Sequence, residues 1–70
     1  MDFWKFLANA NASFLVIKED VRYGQHLVNE LSRIRPELER IVPMDLDPFY
    51  DNQKVEPWMH FLIENWEIKS

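Results

Sequence analysis

The chain has 70 residues, a net charge of −4, one glycine, no cysteine, and an aromatic set of three tryptophans, two tyrosines and five phenylalanines. That length admits one small domain, and the missing cysteines exclude disulfides and thiolate metal sites. Residues 1–35 carry five basic and four acidic groups, and residues 36–70 carry three and eight. The acidic half repels phosphate, which argues against direct nucleic-acid binding.

Asp2 is placed to cap a first helix, its carboxylate accepting from an orphan backbone N–H. Phe3, Leu7, Ala10, Phe14 and Ile17 then recur at helical spacing, thickened by Phe6, while Trp4 and Val16 fall off the stripe. An extended segment over Phe14–Ile17 is the competing reading, because Asn9, Asn11 and Ser13 are mediocre helix formers. Asp20 is expected to open a second helix with Val21, Gly24, Leu27, Val28, Leu31 and Ile34 along one face. Gly24 inside that helix costs about 1 kcal/mol relative to alanine, so close approach by another helix or ring is expected there.

Pro36 restricts Arg35 and predicts a break, with Pro36 itself acceptable as the first residue of a new turn. Leu38, Ile41 and Val42 continue the apolar face to Pro43. Residues 43–57 read as an irregular loop with turn chemistry at Asp47-Pro48 and Asp51-Asn52. Met44, Leu46, Phe49 and Tyr50 are expected to fold it down onto the core. Pro57 is expected to start a last helix bearing Trp58, Phe61, Leu62, Asn65 and Trp66, flanked by Met59 and Ile63. The fold class expected is all-α: a compact bundle of three to four short helices, with the Asp-Pro loop packed on its core. Core candidates are Leu27, Leu31, Ile34, Leu38, Ile41, Phe49, Trp58, Phe61, Leu62 and Trp66.

Little chemistry is written into this pattern. Asp45, Asp47 and Asp51 suggest a calcium loop, but counting from Asp45 puts Phe49 at the fifth position and Tyr50 where glycine is needed. Of the fifth, sixth and twelfth positions, only the last, Glu56, matches. His26 and His60 lack zinc-ligand spacing, and no glycine-rich phosphate loop appears. Neither a catalytic residue, a metal site nor a cofactor is expected. Arg22, Arg33 and Arg35 are the best case for a binding patch: Arg22 and Arg33 lie about three helical turns apart, and arginine suits bidentate recognition of carboxylate or phosphate, although a solvated helix face explains them as well. The longest strongly apolar run, Phe14–Ile17, falls far short of the roughly 20 residues of a membrane span. The opening Met1–Lys5 has no basic leader, so a cytoplasmic location without membrane partners is expected.

From Arg22 onward the motifs resemble a group of small helical proteins of bacterial and phage genomes. The shared features are Arg22-Tyr23-Gly24-Gln25, Asn29, Leu31, Arg35-Pro36-Glu37-Leu38, Asp47-Pro48-Phe49-Tyr50-Asp51 and a closing Phe61…Trp66, over about the last 45 residues. The resemblance implies a recurrent compact fold, with no assigned activity and no catalytic residue to carry across. It also implies one domain over residues 1–70, in which residues 1–20 are an added helix and 21–70 the shared core.

The expectation for function follows from the aromatic surplus. Phe3, Trp4, Phe6, Leu7, Phe14 and Arg22 are expected to form a face for a protein partner or for self-association as a homodimer. That describes a non-enzymatic protein-binding module, an adaptor or small inhibitor of phage or mobile-element type. The alternative is an acidic mimic of nucleic acid, with Asp45, Asp47, Asp51, Glu56 and Glu64 standing in for phosphates.

Overall fold

The computed structural model describes residues 1–17 and 20–67. Among them are four α-helices, α1 (Phe3–Val16), α2 (Tyr23–Ile34), α3 (Pro36–Glu39) and α4 (Val55–Asn65), and no strand. Two short 3-10 turns, Met44–Leu46 and Asn52–Lys54, punctuate the stretch between α3 and α4. The molecule is the small all-α bundle that the apolar periodicity requires.

Asp2 caps α1 as expected: its Oδ1 accepts the Lys5 backbone N–H at 2.8 Å. The helix runs through Phe14 to Val16, so the extended alternative for that segment does not form. Its inner face buries Phe3, Phe6 and Ala10. α2 begins at Tyr23, not at Asp20, and Arg22 in the cap position makes no side-chain cap bond. The missing cap comes from the loop, where Asn52 Oδ1 accepts the Gly24 N–H at 2.8 Å. One of the orphan donors at the helix start is thereby satisfied across the fold.

Gly24 shows why that position excludes a side chain. A Cβ built there would lie 2.2 Å from the carbonyl oxygen of Pro48. The close approach expected at Gly24 is therefore made by loop backbone, not by a helix or a ring. Pro48 is fully buried, and Asp47 Oδ1 accepts the Phe49 N–H at 2.9 Å to fix the turn. Asp51 caps the following turn by accepting from Gln53 N–H at 2.9 Å.

Pro36 ends α2 and takes the first position of α3, as a residue without an N–H can. Arg35, at the junction, has φ −134° and ψ 67°. α4 starts two residues earlier than Pro57 marks, at Val55, so Pro57 sits in the first turn, where its missing N–H breaks no bond. The core comprises Phe3, Phe6, Ala10, Leu27, Val28, Leu31, Leu38, Trp58, Leu62 and Trp66, with Ile34, Phe49 and Phe61 packed against it. Two expectations are corrected here. Ile41 is exposed, because the chain leaves helical geometry after Glu39 and turns it outward. Met44 and Tyr50 are 90% and 80% exposed, so the loop is held down by Pro48, Phe49 and the Gly24 contact instead.

Candidate functional site

The sequence-derived partner face divides between the two sides of α1 and the start of α2. Phe3 and Phe6 are buried, Phe6 completely, and both rings meet Trp66 at centroid distances of 5.7 and 5.4 Å. Leu7 is half-buried against the same cluster. Phe14 is half-buried beside Tyr23 and His26, at 5.3 and 5.4 Å. Phe3, Phe6, Leu7 and Phe14 are therefore core and core margin, not a free partner surface. The physical reason is that the rings complete one cluster with the apolar face of α2 and with Leu62 and Trp66 at the end of α4, which takes them out of water. Residues 1–17 are accordingly no appendage to residues 21–70. The indole N–H of Trp66 even donates to the Met1 carbonyl at 3.0 Å.

Trp4 and Arg22 remain on the surface. Trp4 is 64% exposed and stacks edge-on against Phe3 at 5.1 Å. Arg22 lies with its guanidinium 6.0 Å from the centre of the Tyr50 ring, at the other end of the α1–α2 hairpin. The two do not form one patch with Phe3 and Phe6.

Sequence periodicity did not single out the outer face of α1. At 100° per residue, Trp4, Ala8, Ala12 and Leu15 fall within a narrow arc, with Val16 and Lys5 at its edge. All six are exposed, Leu15 at 84% and Val16 at 73%. The helix thus presents apolar residues to water as well as to the core, and Lys5 is the one charged residue of Phe3–Val16. A helix apolar on both sides belongs between two covering surfaces. The signal lay in the near absence of charge along α1, which a search for one hydrophobic stripe passes over.

Other polar contacts join the helices. His26 is buried, and its Nε2 lies 2.9 Å from Ser13 Oγ and 3.1 Å from the Ala10 carbonyl. Ser13 Oγ donates to that same carbonyl at 3.0 Å. A carbonyl only accepts, so the Ala10 contact is a hydrogen bond in the tautomer with its proton on Nε2, and in that tautomer Nε2 has no lone pair to offer Ser13. The pair is a clasp between α1 and α2. Tyr23 Oη adds a second clasp by donating to Asn11 Oδ1 at 2.5 Å, and burial raises the phenol's pKa.

Arg35 ties three segments together. It bonds Glu37, donates to the Trp66 carbonyl at 3.2 Å, and stacks over the Trp66 ring at 4.9 Å. Its bond holds the Glu37 carboxyl below the usual range, whereas burial, aided by the Asp47 charge, raises that of Glu39. Arg33 bonds Glu30 at 2.6 Å, one turn back on α2. Among the described residues no three metal-ligating side chains converge, and Asp47 and Asp51 each commit an oxygen to a turn.

No helix among the described residues is long and apolar enough to cross a membrane. Comparison with protein-family models, with curated proteins and with solved structures yields no match.

Proposed function

We propose that this protein is a non-enzymatic protein-binding module, an adaptor or small inhibitor, that meets another polypeptide through the outer face of α1. The observation that supports this reading is the exposed row Trp4, Ala8, Ala12, Leu15 and Val16 on a helix whose inner face is already buried. Covering apolar surface gains about 25 cal/mol per Å². Tryptophan is also among the residues that dominate binding energy at interfaces. The alanines leave room for a partner's side chains between the two bulky ends.

The test is a matched capture experiment with tagged protein in native lysate, comparing wild type with Trp4→Glu/Leu15→Glu. Both positions face solvent, so the variant should melt within a few degrees of the parent. The reading expects a polypeptide retained by the wild type and lost by the variant, counting untagged copies of the chain itself. Retention of the same polypeptides by both, or of none by either, contradicts it.

A further inference from the structure

We infer that the polypeptide covering the outer face of α1 is a second copy of this chain, docked antiparallel about a two-fold axis beside residue 10. The inference rests on the reading of α1 given above and names its partner.

The order of side chains along the face carries the argument. An isologous contact requires one patch to match itself after a two-fold rotation, residue i meeting j while j meets i. The exposed row reads Trp4, Ala8, Ala12, Val16, which is bulky, small, small, bulky, and symmetric about Ala10. Rotation about that point sets Ala8 against Ala12 of the other copy and Trp4 against the other Val16 and Leu15. The alanines let the two helices approach closely at the crossing, and the bulky ends close over it.

Charge points the same way. Two copies of a chain with net charge −4 repel each other over most of their surfaces. α1 carries no carboxylate between Phe3 and Val16, so copies meeting there set none of its residues against a like charge. Antiparallel docking also brings Lys5 of each copy beside the last turn of the other α1. That turn has no basic residue of its own, and a cation there is favoured by the exposed carbonyls.

The size of the contact sets its strength. A helix of 14 residues is about 21 Å long. One such pair falls below the roughly 1,200 Å² of total buried area at which stable association begins, so a transient, concentration-dependent dimer is expected.

Sedimentation equilibrium of the purified full chain, from low to high micromolar concentration, tests this with three variants. Ala8→Lys and Ala12→Glu, each alone, place an unpaired charge in the crossing and should weaken self-association about tenfold or more. The double variant sets each lysine against the other copy's glutamate and should recover to within about threefold of wild type. Far-UV circular dichroism confirms that all three fold. A wild type that stays monomeric throughout overturns the inference, as does a dimer that ignores both single substitutions. Failure of the double variant to recover also overturns it, because a parallel pair would stack like charges. A monomer that still captures another protein through Trp4 and Leu15 would sink this inference and leave the binding reading standing.

Discussion

Gly24 and Asn52 sit where the loop meets the start of α2, and each has a single job. A methyl group at position 24 collides with the Pro48 carbonyl, a backbone atom that cannot rotate away. Gly24→Ala should therefore cost about 1–3 kcal/mol despite alanine's better helix propensity, read as a drop in denaturant midpoint. A stabilised or unchanged variant would show that the loop does not press on α2. Asn52→Ala removes the cap supplied to the Gly24 N–H and should cost about 1 kcal/mol. These contacts also join stretches that lie far apart in the sequence. Gly24 packs on Pro48, and Arg35 stacks on Trp66. The glycine was legible as an expensive residue in need of a reason. The reason itself was not, since nothing local to residue 24 announces a carbonyl arriving from residue 48.

Elements repeat the lesson on a larger scale. The helices over 3–16 and 23–34, the break at Pro36 and the terminal apolar helix follow from spacing and proline chemistry, and they stand where the pattern puts them, within a few residues. What periodicity left open was which side of α1 is covered. Both arcs of that helix are apolar, so spacing identified one stripe and could not say that the protein's own core would take it. Phe3 and Phe6 went inward because Trp66 and the α2 face complete a cluster around them. Deleting residues 1–17 should then leave an unfolded chain, not a folded monomer; a cooperative thermal transition in the truncated protein would contradict this assignment. Trp66→Ala should be equally damaging, losing about 3–5 kcal/mol, comparable to the whole stability of so small a domain. A full thermal transition near the parent's midpoint would refute that placement.

At the scale of the whole molecule, acidity acts through two neighbouring glutamates with opposite signs. Glu37 has its pKa lowered by Arg35, so it contributes stability above the unfolded value that is lost as pH falls through the folded one. Glu39 has its pKa raised by burial and by Asp47, so it binds its proton more readily when folded and costs stability as pH rises past the ordinary glutamate range. The two partly offset each other near pH 4. Glu39→Gln should raise the melting temperature slightly at neutral pH and steepen the loss on acidification, because the contribution that opposes Glu37 is then gone. A melting profile unchanged by the substitution would remove burial of Glu39 from the account.

The composition also shows at this scale. A net charge of −4 sets copies against one another in solution, and the outer face of α1, which carries Lys5 and no carboxylate, adds nothing to that repulsion. Three tryptophans report on this independently, since Trp58 and Trp66 are buried and Trp4 is exposed. An NMR dilution series following the three indole N–H signals reads the claim most directly. The Trp4 signal should move with protein concentration, together with the amides of residues 8, 12 and 15, while Trp58 and Trp66 stay fixed. Signals that do not move at all, or that move only around Met44 and Tyr50, would contradict it.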